Sequence, residues 1–150
     1  MITIKKIGLE NLITKNNAGG GTSLICEIEI NGKKDKLFFQ CENKWKKYLL
    51  TERADAFVVL LLPVAMREKH DIASYLPITE KLKENLENIF IPTLCEHDKS
   101  LYNSKIFAET ENNLIGGNAV GTANSLGVDS FYTIYKYANA KDDNLRITHF

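Results

Sequence analysis

The sequence predicts an α+β protein in which an N-terminal antiparallel hairpin sheet with helices precedes a C-terminal β-α-β unit. Alternating apolar residues flank an Asn-Gly pair within the first 43 residues, and apolar residues recur at helical spacing between residues 43 and 92. A glycine-rich segment without Lys or Arg, 111–130, then leads into an amphipathic helix. The 150 residues, 44% of them hydrophobic, suit one domain or one and a half small ones and exclude a disordered chain.

The charge balance argues against a nucleic-acid partner. Nineteen Lys and Arg residues balance nineteen Asp and Glu residues, and no basic block stands out. The longest apolar run, Ala56 to Met66, is about half of what a membrane-spanning helix needs, and Pro63 interrupts it. The N-terminus lacks the features of a signal peptide. We therefore expect a cytoplasmic protein whose partner is a small molecule or another protein.

Strand signals dominate the N-terminal part. Ile2, Ile4 and Ile7 begin one predicted strand, and the runs 23–30 and 36–41 form two more on either side of Asn31-Gly32. Asn-Gly between alternating apolar residues is the strongest short hairpin signal, although Lys33-Lys34-Asp35 leaves a longer turn open. The Gly-rich segment 16–22 leads into a strand and lacks the helix N-terminus that would bind phosphate, so we interpret it as a flexible connector.

Two helices are predicted between residues 43 and 70. Trp45, Tyr48 and Leu49 share one face of a short helix. Asp55 is the predicted N-cap of a longer helix from Ala56 to Lys69, with a kink at Pro63. The run 57–62 alone also fits a buried strand. The length of the segment and its basic end (Arg67, Lys69 and His70) favour the helix.

A third helix is predicted to begin at Thr79, its N-cap, and to end at Pro92. We expect its apolar face to join the core, and that face consists of Leu82, Leu86, Ile89 and Phe90. Residues 98–104 are interpreted as a polar connection and 105–110 as a short strand. The composition then shifts, which predicts a domain boundary near Gly116 or Gly117.

The cysteines indicate neither a disulfide framework nor a zinc site. Cys26, Cys41 and Cys95 are odd in number, far apart and without a C-x-x-C pair. Residues 95–98 place a thiol, an imidazole and two carboxylates together, but a metal site needs about four convergent ligands. We expect no metal at this segment.

The segment from Asn118 to Ser130 carries the chemistry. It is interpreted as a strand and a tight loop that opens a helix, with Phe131, Ile134, Tyr135 and Ala138 at helical spacing. Residues 141–144 then form a polar turn and 145–150 the start of a second strand, which completes a β-α-β unit. A loop that opens a helix presents free backbone N–H groups and the positive end of the helix dipole, and both favour a bound phosphate.

Within this segment Ser125-Leu126-Gly127-Val128-Asp129-Ser130 resembles the S-G-G-x-D-S signature of the PP-loop ATP pyrophosphatases, the adenine nucleotide alpha hydrolase-like superfamily. The resemblance implies a Rossmann-like α/β domain that binds ATP with Mg²⁺, transfers AMP to a substrate oxygen and releases pyrophosphate. An amine or sulfur nucleophile then displaces the AMP. By position, Ser125, Gly127 and Ser130 would hold the pyrophosphate end of ATP, and Asp129 would act through the metal or by fixing the loop. Leu126 replaces the first glycine of the signature.

We expect residues 1–116 to form an N-terminal α+β domain, and the resemblance implies that residues 117–150 are the start of a nucleotide-binding domain that is incomplete at Phe150. The parent would then be an ATP-dependent ligase, amidotransferase or thiolation-like enzyme, and we expect the 150-residue chain alone to be inactive. No catalytic residue is identified. The alternative is a non-enzymatic binding or assembly module in which the glycine-rich loop is only a structural turn that caps a helix. Unpaired strand edges at 118–124 and 145–150 also predict a homodimer.

Overall fold

The computed structural model describes residues 1–12, 20–112, 119–142 and 145–149. The chain divides into two compact units, Met1–Asn113 and Leu114–Phe150. The predicted boundary at Gly116 or Gly117 lies outside the described residues, as does most of the predicted connector 16–22. The predicted α+β class is confirmed, because the first unit combines a five-stranded sheet, antiparallel at its N-terminal strands, with several helices.

Three long antiparallel strands begin the first unit: β1 (Ile2–Leu12), β2 (Gly21–Ile30) and β3 (Lys33–Glu42). The Asn31-Gly32 hairpin is confirmed as a two-residue turn, because Lys33 already pairs with Ile30. Both turn residues have positive φ, 51° and 80°, the conformation in which a tight turn follows the twist of the strands. The turn is therefore not lengthened by the lysines that follow it.

A break in the β1–β2 register explains the spacing of the first isoleucines. The pairing with β2 shifts between Ile4 and Lys6, where β1 carries a bulge or irregularity. A single extra residue in a strand changes which side chains share a face. Ile2, Ile4 and Ile7 can therefore all reach the core, although their spacing changes from two residues to three.

Short parallel strands extend the sheet beyond β1. β4 (Ile72–Ser74) pairs with β1, and β6 (Ile106–Phe107) pairs with β4, so the strand order is β3-β2-β1-β4-β6. A separate two-stranded parallel sheet joins β5 (Ile78–Thr79) to β7 (Thr110–Glu111). The single strand predicted at 105–110 is wrong, because the chain there divides into β6 and β7, which belong to different sheets.

Helix α1 spans Asp55–Arg67, which confirms the helix predicted from Ala56 and excludes the strand alternative at 57–62. Pro63 lies inside it. The predicted capping role of Asp55 is wrong, because Ala54 occupies the N-cap position and Asp55 is the first helical residue. The Asp55 carboxylate instead accepts a hydrogen bond from the backbone N–H of Thr79.

The third predicted helix does not end at Pro92. It consists of α2 (Glu80–Asn85), a π-helical turn (Leu86–Phe90) and α3 (Ile91–His97). A wide turn relieves the clash that a proline makes with the preceding turn, so the chain continues as a helix. Thr79 occupies the predicted N-cap position, but its side chain makes no capping hydrogen bond.

The π-helical turn also changes the buried face of this helix. Leu86 is buried as predicted, whereas Ile89 and Phe90 are 61% and 44% exposed and Ile91 is buried in their place. The wider turn rotates the side chains that follow it relative to those before it, which a constant helical period does not anticipate.

The inner face of α1 packs on the sheet and forms the core of the first unit. Its buried residues are Phe57, Val58, Leu61, Leu62, Ala65 and Met66. They belong to one cluster with the isoleucines of β1, β2, β4 and β6. The short helix predicted around Trp45 is a 3₁₀ helix (Asn43–Tyr48) without buried residues, so Trp45 and Tyr48 are not core residues. No helix among the described residues is long and apolar enough to cross a membrane.

Candidate functional site

The second unit contains a short version of the predicted β-α-β arrangement. Gly121 and His149 form a parallel bridge, and helix α4 (Val128–Tyr137) lies between them in the chain. Hydrogen bonds from Thr122 N to His149 O, 3.2 Å, and from Thr148 N to Val120 O, 2.8 Å, accompany the bridge. The described residues thus show one parallel bridge where two strands were predicted.

The loop that opens α4 contains a residue in the left-handed backbone region. Leu126 has a φ of 60°, a conformation that glycine adopts readily and that costs other residues about 1–2 kcal/mol. A hydrogen bond from Leu126 N to Asn124 Oδ1, 3.0 Å, closes an Asx turn and supports this conformation. Asn124 is not among the predicted site residues, although an Asn two residues before a turn position is a known signal for such a turn.

Gly127 follows as the N-cap residue of α4 and has an extended backbone. The helix then begins at Val128 without a capping hydrogen bond, because glycine has no side chain that could accept one. The first backbone N–H groups of a helix have no partner within the helix. In α4 these are the N–H groups of Val128, Asp129 and Ser130, which adjoin or belong to the predicted phosphate-binding residues.

The structure brings Ser125, Gly127 and Ser130 together. The hydroxyl of Ser130 donates to the carbonyl oxygen of Gly127 at 2.9 Å. The Ser125 and Ser130 hydroxyl oxygens are 3.2 Å apart. Because a serine hydroxyl has a single proton, Ser125 is then the donor to Ser130. Both hydroxyl protons are used in hydrogen bonds within the loop. An anion can therefore bind these hydroxyls only if it replaces those hydrogen bonds.

Asp129 lies in the first turn of α4, and its side chain is exposed. A carboxylate at this position is stabilised by the positive end of the helix dipole. The same negative charge repels a phosphate unless a cation lies between them. Asp129 therefore fits a site in which a metal ion accompanies the phosphate.

Mg²⁺ is commonly held by one or two carboxylates together with phosphate oxygens and water. One exposed carboxylate beside two serine hydroxyls fits this donor set. In the described parts of the chain, no three His, Cys, Asp or Glu side chains are grouped as a metal site would require. The cluster 95–98 is divided among separate contacts: Cys95 with the Leu101 carbonyl, His97 with the Thr93 carbonyl, and Asp98 with Ser100.

The loop and the start of α4 are open to solvent. Leu126 and Val128 are 74% and 81% exposed, and no residue of α4 is buried. Phe131, Tyr132 and Tyr135 on the same helix are also exposed. A ligand can therefore reach the loop backbone directly.

Comparisons with known proteins identify no relative. No protein-family model matches the chain, and neither a curated protein nor a solved structure is similar to it.

Proposed function

We propose that the loop 124–130 and the start of α4 bind the phosphates of Mg-ATP, and that the chain belongs to an ATP-dependent adenylating enzyme of the PP-loop type. The observation that carries the proposal is the backbone of Leu126. Its φ of 60° is the conformation that favours glycine, and Leu126 occupies the position of the first glycine in the S-G-G-x-D-S signature. The substitution that weakens the sequence match therefore leaves the loop with a glycine-like backbone.

Backbone amides supply the first contribution to phosphate binding. Those of Val128, Asp129 and Ser130 belong to the first turn of α4, where N–H groups lack helical partners and the dipole favours an anion. The hydroxyls of Ser125 and Ser130 supply the second contribution, because Ser125 can exchange its bond to Ser130, and Ser130 its bond to the Gly127 carbonyl, for phosphate oxygens. Such charge-assisted hydrogen bonds are stronger than the neutral ones that they replace.

Asp129 would hold the Mg²⁺ that accompanies the nucleotide, together with phosphate oxygens and water. When bound there, the metal would neutralise charge on the phosphates. In the proposed reaction a substrate oxygen attacks the α-phosphorus of ATP, the bond to the β-phosphate oxygen breaks, and pyrophosphate leaves. This chain contributes orientation and charge stabilisation of the leaving pyrophosphate, and the step needs no side-chain nucleophile.

Isothermal titration calorimetry with ATP, with and without Mg²⁺, tests the proposal on the 150-residue chain. We expect Asp129→Asn to weaken Mg-ATP binding by about tenfold but to strengthen the binding of metal-free ATP, because it removes a charge that repels the phosphates. Gly127→Ala should weaken both, because its methyl group lies on the backbone that the phosphate must approach. The methyl group would meet only the Ser125 hydroxyl at 3.4 Å, an ordinary contact, so the loop itself should persist.

Asp35→Asn is the matched control, since it removes the same charge from an exposed position in β3. Wild-type protein that binds no ATP, or an Asp129→Asn variant that behaves like Asp35→Asn, would contradict the proposal. The alternative of an assembly module would then be favoured. It is consistent with the single hydrogen bond between the two loop serines and with the exposed aromatic residues of α4.

A further inference from the structure

The first unit contains a cavity of about 420 Å³ between the first turn of α1 and strands β2 and β3. This volume lies within the range of roughly 300–1,000 Å³ that small-molecule sites occupy. From its lining we propose that the cavity binds a planar nitrogen heterocycle that carries N–H donors. All of its lining residues belong to the first unit, whereas the proposed phosphate loop belongs to the second.

The inner wall of the cavity is apolar and aromatic. Leu24 and Phe57 are buried at its base. The ring of Phe39 lies 5.2 Å from that of Phe57, at an angle of 45°. Tyr48 is exposed at the rim. Aromatic rings at these separations favour a further ring that stacks on or packs edgewise against them, so the wall fits a flat ligand.

Polar groups line another part of the cavity. Thr79 contributes a hydroxyl that does not cap the helix that follows it. The Asp55 carboxylate contacts a single described donor, the N–H of Thr79, and has room for more, because a carboxylate offers about four acceptor positions. Both residues occur where a sequence predicts helix caps, yet the side chain of neither caps its own helix. Their positions beside an apolar wall match the pattern of a ligand site.

The charge around these groups selects the ligand. The Arg53 side chain is only 11% exposed and forms an ion pair with Glu111, with Nε and Oε2 3.2 Å apart. Arg53, Glu111 and Asp55 together therefore carry a net charge of about −1 at neutral pH. A phosphate or carboxylate would be repelled, whereas a ring with N–H donors or a positive charge complements Asp55.

Two small probes that differ by one amine test the inference. 2-Aminobenzimidazole presents adjacent N–H donors that one carboxylate can accept, and benzimidazole has the same rings without the amine. Ligand-observed NMR titration should show 2-aminobenzimidazole binding about tenfold more tightly than benzimidazole. Asp55→Asn should abolish this preference, and Asp35→Asn, the matched control, should keep it.

A second variant tests the location without touching Asp55. Ala56 is exposed and lines the cavity, so the larger side chain of Ala56→Trp should fill the cavity and weaken the binding of both probes. Leu60→Trp, on α1 but outside the lining, should weaken neither. The inference is overturned if wild-type protein binds neither probe, if both probes bind equally, or if Ala56→Trp binds them as the wild type does. Each outcome is independent of ATP binding in the second unit.

Discussion

Both carboxylate oxygens of Asp55 lie within hydrogen-bonding distance of the backbone nitrogen of Thr79, at 3.1 and 3.2 Å. This contact joins the first turn of α1 to the end of β5, where the next helical segment begins. A nearby backbone bond from Ala54 N to Pro77 O, 2.9 Å, joins the same two segments. The start of α1 is therefore fixed by a non-local contact and not by a local cap.

Replacing Asp55 should destabilise the first unit. We expect Asp55→Ala to lower the free energy of unfolding by about 1–3 kcal/mol, since it removes a charged acceptor and leaves the partly buried Thr79 N–H without its partner. Asp55→Asn keeps an acceptor oxygen and should lose less. Urea unfolding measures both variants. Equal losses in the two variants would show that the hydrogen bond contributes little.

The hairpin turn provides a second prediction. Gly32 has a φ of 80°, and a methyl group added there would meet no atom within 4 Å. The cost of Gly32→Ala is therefore purely one of backbone conformation, and we expect a loss of about 1–2 kcal/mol in unfolding free energy. Gly8 in β1 is also surrounded by open space but lacks a positive φ. Gly8→Ala should therefore be neutral or slightly stabilising, and a loss equal to that of Gly32→Ala would contradict this account.

The Asn31-Gly32 turn and the bond from Thr79 to Asp55 differ in how far the sequence predicts them. Asn31-Gly32 was recognisable because a two-residue turn is specified by its own residues and their immediate flanks. Asp55 was assigned to the wrong partner because its acceptor role depends on Thr79, a distant residue. The strands β4 and β6, of three and two residues, are too short to show alternation, and the sheet beyond β1 depends on their non-local pairing.

The same distinction applies to the helix after Thr79 and to the candidate loop. A constant helical period placed Phe90 in the core, but the π-helical turn moves that role to Ile91. The residues of the loop were identifiable because they are contiguous. The left-handed backbone of Leu126 could not be predicted from the sequence, because leucine seldom adopts that conformation.

The core prediction concerns two leucines on α1 that differ only in burial. Leu62 is 1% exposed, and Leu62→Ala should lower the unfolding free energy by about 2–5 kcal/mol through lost burial and a residual cavity. Leu60 is exposed, and Leu60→Ala should change it by no more than about 0.5 kcal/mol. Chemical denaturation of both variants makes the comparison. Similar losses would mean that the outer face of α1 is covered as well.

A pH dependence is expected from Cys26. Burial raises the pKa of this thiol from 9.0 to about 12, with a smaller contribution from Glu27. Above pH 9 the unfolded chain loses the thiol proton while the folded chain keeps it, so the unfolded state binds fewer protons and stability falls as the pH rises. The effect is absent below pH 9 and develops towards pH 12. Urea unfolding at pH 7 and pH 10 should show a smaller decrease in Cys26→Ala than in wild type, and an equal decrease would contradict the assignment.

Leu126 offers the most direct test of the loop conformation. Leu126→Gly restores the first glycine of the signature and removes the backbone strain. Little packing is lost, because the leucine side chain is 74% exposed. Leu126→Val places a β-branched residue in the left-handed region, where branching makes the conformation still less favourable. If the loop binds phosphate in this conformation, calorimetry should give Mg-ATP affinities in the order Gly, Leu, Val, from tightest to weakest. Hydrogen exchange of the Phe131 amide, which donates to the Gly127 carbonyl oxygen at 3.1 Å, should report the same order of loop stability without nucleotide. A valine variant that binds Mg-ATP as tightly as the glycine variant would mean that phosphate binding does not use the left-handed backbone at this position.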